Sequence, residues 1–375
     1  MIKKLDIIWN ITLVCPWDCE FCCTDAVHVS NKFGEIIATE HSLTNERVVN
    51  AKLSDIFKEK YPTKQPTQFD LALLDRQLRG VEPDLESKLQ ILKNLEGYDV
   101  SIDFAGGDPL SCYENYLVIR EASKLFGADN ISITSTGYSI KRYELSELAE
   151  YIGEYEFTYD ENHTTTPCTR PKGYNVSNIK IAERFAQIGI RTKAQLPLHV
   201  GNIESININK IYAELDSRGI DELLLMRTFP VGRGIKYLRK NNLDREALKH
   251  AINKFTELSE QGSTKVRLQC ALKHLTNSNL DLNPCDMMRE SFGINYKGEL
   301  LLSAWANNSV GLPLGDEFVI GSLVTDSFLE LSASPNFQEL ESKMNENFGH
   351  CKIFSYMYGG KTRDSLFKTT DPLYM

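Results

Sequence analysis

The stretch "CPWDCEFCC" places Cys15, Cys19, Cys22 and Cys23 within positions 15 to 23. Thiols gathered so closely serve a disulfide framework, a zinc site or an iron–sulfur cluster. The chain has 375 residues and nine cysteines. The odd count, the large size and the lack of a secretion signal all weigh against an oxidised scaffold. A structural zinc finger needs a second ligand pair roughly 12 to 20 residues further on. Only His28 lies near, and no CxxC follows. Cys15-x3-Cys19-x2-Cys22 therefore offers three thiolates without a nearby fourth ligand. That suits a [4Fe–4S] cluster with one iron left open. Cys23 reads as a bystander.

A second chemical stretch is "AGGDP", residues 105 to 109, where paired glycines allow close backbone approach beside an acid. Others carry weaker signals. Asp160 and His163 are candidate acid–base groups, with capping or solvated roles equally open. His28 and His199 read as structural histidines, Asp103 as an acid paired inside its strand, Cys112 as a small buried thiol, and Gly232-Arg233-Gly234 as a tight turn.

The elements that position these residues alternate in period. "LDIIWNITLV" reads as a strand, and the cysteine loop follows it directly. From residue 84 helical and strand-like stretches take turns. "DLESKLQILKNLEG", "YENYLVIREASKLFG", "RYELSELAEYIG", "NVSNIKIAERFAQIG" and "NINKIYAELDSRG" read as helices. "DVSIDFAGG", "NISITSTG", "YEFTYD", "IRTKAQLPLH" and "IDELLLMRTFP" read as strands. The fold class expected is α/β: a partial (β/α)6 TIM-like barrel with a small C-terminal α+β module. Residues 1–235 would form the barrel, with 24–80 inserted after the cysteine loop, and 236–375 the module. That module should contain a helix over 243–260, a hairpin turning at Lys297-Gly298 and a helix over 335–347. In such barrels chemistry sits at the C-terminal ends of the strands, where both the cysteine loop and "AGGDP" fall.

The net charge of −9 argues against a nucleic-acid partner. No apolar run reaches the ~18 residues of a membrane span. Lys3 and Lys4 mimic a signal peptide, but Asp6 and Asn10 interrupt the apolar run that follows. A cytoplasmic protein is expected.

Cys-x3-Cys-x-aromatic-Cys after a first strand, with Gly-Gly-acid-Pro after the second, resembles the signature of radical S-adenosylmethionine (SAM) enzymes, over roughly residues 5–235 apart from 24–80. The resemblance implies that Cys15, Cys19 and Cys22 hold a [4Fe–4S] cluster whose open iron binds the amino and carboxylate groups of SAM. One electron then cleaves SAM to methionine and a 5′-deoxyadenosyl radical, which abstracts a hydrogen atom from the substrate. Phe21 would flank the cluster and the adenine. Gly106, Gly107, Asp108 and Pro109 would meet the methionine amino group. The usual acid there is Glu, so Asp108 reaches one methylene less. Ser135 and Thr136 in "TSTGY" would contact the ribose. "FTYDENHTTTPCTRPKGYN" is similar to a stretch of peptide-modifying members, with Thr158 and Arg170 touching the SAM carboxylate or ribose.

Peptide-modifying members of that family carry a cysteine-rich tail (the SPASM or twitch module) that holds auxiliary clusters. Here Cys285 precedes "INYKGELLLSAW", but Ser303 and Phe354 stand where further cysteines are expected. The module reads as degenerate. Cys270, Cys285 and Cys351 could hold one auxiliary cluster, or serve as buried thiols in a substrate-docking module. Cys351 or Cys168 could instead donate a hydrogen atom to a substrate radical. The leading expectation is a maturase of a ribosomally made precursor peptide, acting by cross-linking, oxidation or epimerisation. Its electron donor would be a flavodoxin or ferredoxin, and leader recognition would fall to the tail, the 24–80 insertion or a separate partner. The alternatives are a radical SAM enzyme on a small metabolite and a non-catalytic metal–sulfur module.

Overall fold

The structure is a computed structural model that describes residues 4–161, 170–276, 285–344 and 351–374. The chain opens with β1 (Lys4–Thr12) and β2 (Val14–Cys15). The inserted segment adds β3 (Val27–Lys32), β4 (Glu35–Glu40) and β5 (Asn45–Val49), then α1 (Leu53–Lys60) and α2 (Gln68–Leu78). After α3 (Leu85–Lys93) come β6 (Asp99–Gly106), α4 (Tyr113–Phe126), β7 (Ile131–Thr134), α5 (Leu145–Ala149) and β8 (Glu154–Thr158). Next are α6 (Tyr174–Gln187), β9 (Arg191–Leu198), α7 (Ser205–Ser217) and β10 (Glu222–Arg227). The later chain gives α8 (Gly234–Asn241), α9 (Arg245–Ser259), β11 (Lys265–Leu268), α10 (Cys270–Thr276), β12 (Ser291–Ile294), β13 (Glu299–Leu301) and β14 (Val319–Ser322). Short helices follow, including Pro335–Lys343 and Lys352–Tyr358.

Among the described residues one sheet runs β11-β10-β9-β8-β7-β6-β1-β12-β13-β14, and β1 to β11 lie parallel within it. Its ends do not pair, so the barrel is open. This is the partial α/β barrel expected, with two further parallel strands, β11 at one end and β12 beside β1. The strand sequences explain its curvature and its polar interior. Val100, Ile102 and Phe104 of β6 and Tyr155 and Phe157 of β8 are buried and pack under the helices. Their alternating neighbours Ser101, Asp103, Glu154 and Glu156 line the lumen instead. α4 caps itself with Gly127, whose φ of +88° only glycine adopts without cost. α9 starts on Asp244, which accepts from the Ala247 amide at 2.8 Å.

The tail does not stand apart from the barrel. β12 pairs in parallel with β1, Asp6 opposite Ser291 through Trp9 opposite Ile294. The hairpin expected at Lys297-Gly298 forms between β12 and β13 and extends the same sheet. A single apolar core runs through both parts, including Trp9, Phe104, Phe292, Phe328 and Phe337. The helix expected over 243–260 is present. The one expected over 335–347 covers Pro335–Lys343, and its expected end lies outside the described residues.

The insertion's three strands pair onto β2 of the cysteine loop in a second sheet, β2-β3-β4-β5, over a second apolar core. The strand-like "VHVSNKFGEIIATE" is a hairpin. β5 and α2 escaped the sequence reading. α2 starts on a capping box of Thr67 and Asp70. Cys112 is fully buried in this second core, donating to the Phe69 carbonyl at 3.5 Å. The insertion is tied to the barrel by buried polar contacts: Arg142 Nη2 meets Asp70 at 2.7 Å, and Glu82, paired with Arg76 Nε at 2.6 Å, accepts from the Leu13 amide at 3.1 Å.

Candidate active site

Cys15, Cys19 and Cys22 line one cavity of about 170 Å³ at the C-terminal ends of the strands. β1 delivers the loop, and β6 clamps it: the Gly107 amide donates to the Thr12 carbonyl at 2.7 Å and the Asp108 amide to Val14 at 2.9 Å. Gly106 has φ +119°, and a Cβ there would meet the Thr12 carbonyl at 2.4 Å. A Cβ on Gly107 would meet the Val14 carbonyl at 2.2 Å. The two glycines thus let the second strand's turn press against the cysteine loop, and both also line the cavity.

The thiols differ in their surroundings. Burial pushes Cys15 up, and pushes Cys19 up to about 11 against the opposing Arg170 guanidinium. Cys22 is held down: Arg233 and Thr24 overcome its burial. Its sulfur accepts from the Ala26 amide at 3.3 Å and lies 3.5 Å from Thr24 Oγ1. Amide and hydroxyl donors to a ligand sulfur are the tuning that iron–sulfur sites use. Cys23 also lines the cavity, but burial beside Cys22 pushes it up to about 12.

The remaining expected residues fall into two groups. Ser135, Thr136, Thr158, Phe21 and Arg170 line the cavity with the thiols. Asp108 and Pro109 are buried behind its wall. The Asp108 carboxylate accepts from Ser135 Oγ at 2.9 Å, from the Leu110 amide at 3.2 Å and from Thr136 Oγ1. It orients the two hydroxyls rather than facing the cavity. Arg170 is held by Asp160, with both Nε and Nη2 at 2.7 Å from Oδ2, and its guanidinium lies 4.1 Å from the Phe21 ring centroid. Asp160 therefore acts here as the partner of an arginine. His199 is fully buried against Phe21. His163 and Cys168 lie outside the described residues.

One site residue was not singled out in the sequence, and another was read only as part of a turn. Trp17 lies inside the cysteine loop, lines the cavity, and its buried indole Nε1 has no hydrogen-bond partner among the described residues. An unpaired buried donor facing a cavity fits a polar ligand. Arg233, read as a turn residue, donates its amide to the Cys22 carbonyl at 2.8 Å and its guanidinium to Asp18 at 3.2 Å. Its position just after strand "ELLLMR", at a barrel strand's C-terminal end, was the available signal.

Below this cavity a second one, of about 600 Å³, fills the lumen. Both are lined by Asp103, Gln195, Met226, Phe229 and Trp305. Phe229 and Trp305 stack at 5.0 Å and 17°. Asp103 accepts from Thr134 Oγ1 at 2.9 Å, and Lys193 meets Glu156 at 2.9 Å. Cys270, Cys285 and Cys351 line this lower cavity together. Burial pushes all three up, Cys351 to about 12.

No family model matches the chain, and no curated protein matches it. Solved structures share its fold. Streptococcus suis SuiB bound to precursor peptide SuiA is similar over 98% of this chain and 76% of its own, at 14% identity and a TM-score of 0.65. SuiB bound to S-adenosylmethionine gives 98% and 77% coverage, 15% identity and a TM-score of 0.64. anSMEcpe with bound AdoMet gives 90% and 82%, 13% identity and 0.53. Among the described residues no helix is long and apolar enough to cross a membrane.

Proposed function

We propose that this chain is a radical SAM enzyme that modifies a ribosomally made peptide. One observation carries the reading: Cys15, Cys19 and Cys22 converge on a single cavity with Gly106, Gly107, Ser135, Thr136, Thr158, Arg170 and the unpaired Trp17 indole. Three thiols, two close-packed glycines, two oriented hydroxyls, a cation and a free donor fit a cluster with SAM beside it. When bound, cluster and SAM together supply a 5′-deoxyadenosyl radical that takes a hydrogen atom from the substrate.

The chain's own groups hold and orient. Arg170, fixed by Asp160, places positive charge where a carboxylate would lie. Ser135 and Thr136, fixed by Asp108, present hydroxyl groups to a ribose. Phe21 and Trp17 give the cavity its aromatic walls. Asp103 and Gln195 border both cavities, so they face whatever side chain descends into the lumen. Peptide as substrate is supported by the peptide bound to SuiB over a matching fold. The acidic charge suits a peptide better than a nucleic acid. A small metabolite remains the second reading within the same chemistry. A non-catalytic metal–sulfur module would not need the Asp108-held hydroxyls or the Arg170–Asp160 pair. The division into a barrel over 1–235 and a tail module over 236–375 is proposed as one of roles, since the sheet is shared.

We further propose that Cys270, Cys285 and Cys351 hold a second cluster facing the lumen; the competing readings are buried thiols in a substrate-docking module, and Cys351 or Cys168 as hydrogen donor. The proposed electron donor is a flavodoxin or ferredoxin.

The test is iron and sulfide content after anaerobic reconstitution, in the wild type and in a Cys15/Cys19/Cys22→Ala variant. About eight irons against about four assigns both clusters. About four against none leaves the tail without one. No iron in either protein would sink the radical reading.

A further inference from the structure

We propose that Asp18, His28 and His41 form a zinc-type divalent-metal site that fastens the cysteine loop to the inserted sheet. The three residues come from separate segments. Asp18 sits in the loop between Cys15 and Cys19. His28 lies in β3, in register with Cys15 of β2. His41 opens the short 3-10 turn after β4. Folding nevertheless brings one ligand atom of each within 4.8 Å of the others. Among the described residues this is the one trio of His, Cys, Asp or Glu side chains drawn so close.

The local geometry points to a ligand rather than to an ion pair alone. His41 Nε2 stands 2.8 Å from Asp18 Oδ1. Yet that buried nitrogen makes no hydrogen bond, so the approach lacks the angle a hydrogen bond needs. The His28 and His41 rings face each other, centroids 6.3 Å apart and 23° from parallel. Donor atoms bound at about 2.0–2.2 Å to one zinc ion are spaced on this scale. The Arg233 guanidinium, 3.2 Å from the same Asp18 oxygen, orients the carboxylate from outside, as partners of metal ligands do.

Two imidazoles and one carboxylate with a fourth position open form a nitrogen–oxygen set that suits zinc. No thiolate belongs to it, so it does not compete with the iron site for ligands. Asp18 and His41 are partly exposed, which leaves a route for the ion. The cysteine loop would then be gripped from two sides: by Arg233 on the barrel side and by the metal on the insertion side. This gives the insertion a physical task at the active site. The inference needs neither iron nor SAM, so it stands or falls separately from the proposed function.

The experiment uses the full chain carrying Cys15/Cys19/Cys22→Ala, with and without added His28→Gln and His41→Gln. Each protein is incubated with zinc, desalted and assayed for metal by mass spectrometry. Zinc held by other thiols is common to both and cancels. The parent should hold about one more zinc per chain than the histidine variant. Equal zinc would overturn the site. A second variant, Asp18→Asn, changes a partly exposed residue and spares the fold. It should weaken zinc affinity by at least about tenfold, since removing a ligand costs no less than removing the partner of one. Unchanged affinity would equally refute the proposal.

Discussion

Asp108 offers the sharpest test of how the site is built. Its carboxylate is fully buried and takes three hydrogen bonds: Oδ1 accepts from Ser135 Oγ and the Leu110 amide, and Oδ2 accepts from Thr136 Oγ1. Asp108→Asn keeps the oxygen that serves Ser135 and Leu110. It replaces only Oδ2, and the Thr136 hydroxyl can turn to accept from the new amide. The expected loss is about 1.5–3 kcal/mol, that of one hydrogen bond to a charged group. Asp108→Ala strands all three donors. Each stranded buried donor costs about 1–3 kcal/mol, so the loss should reach about 3–9 kcal/mol. Asp108→Glu keeps the charge but adds a methylene to a sealed space, at about 1–3 kcal/mol. Urea unfolding of the three variants gives the order directly, with Ala the worst of the three. The same series read by calorimetric SAM binding should weaken in step, since Ser135 and Thr136 lose their orientation. If Asn and Ala destabilise alike, the carboxylate is not what holds the two hydroxyls. If Glu binds SAM better than Asp, the acid faces the ligand and the orientation described here fails.

Other outcomes follow from the same geometry. Burial, with Asp103 beside it, pushes Glu156 up to about 8. The folded chain then keeps a proton that the unfolded chain has released, so stability falls as pH rises from the ordinary carboxylate range toward that value. The slope is about 1.4 kcal/mol per pH unit for one proton. The urea midpoint should drop between about pH 5 and pH 8 in the wild type and flatten in Glu156→Gln; equal slopes would count against this. Gly107→Ala drives a Cβ into the Val14 carbonyl and should displace the cysteine loop, cutting reconstituted iron content. Gly127→Ala, where nothing lies within 4 Å, should cost only the about 1–3 kcal/mol of its strained backbone conformation and keep its iron. Arg233→Met removes the cation facing Cys22, Asp18 and Asp25, so cluster loss to a chelator should be faster than in the wild type.

The sequence by itself determined what depends on near neighbours in the chain. Cysteine spacing, glycine pairs, helix caps and the turn at Lys297-Gly298 are local, and the alternation of strand and helix fixed a parallel sheet with the cysteine loop at its working end. The alternating acids in "SIDF" and "YEFT" also carried a legible sign of a polar lumen, because only one face of those strands is apolar. Tertiary structure decided the rest. β12 pairs with β1 across some 285 residues, Asp6 opposite Ser291, a register no local pattern encodes. Asp108 turns to Ser135 and Thr136 because β6 and β7 lie side by side, which leaves its carboxylate behind the cavity wall. Arg233 reaches Asp18 and Cys22 only once the sixth barrel strand, β10, delivers its loop over the first. Burial and partnership are properties of the closed packing, and so the choice between ligand contact and wall support was made by the fold.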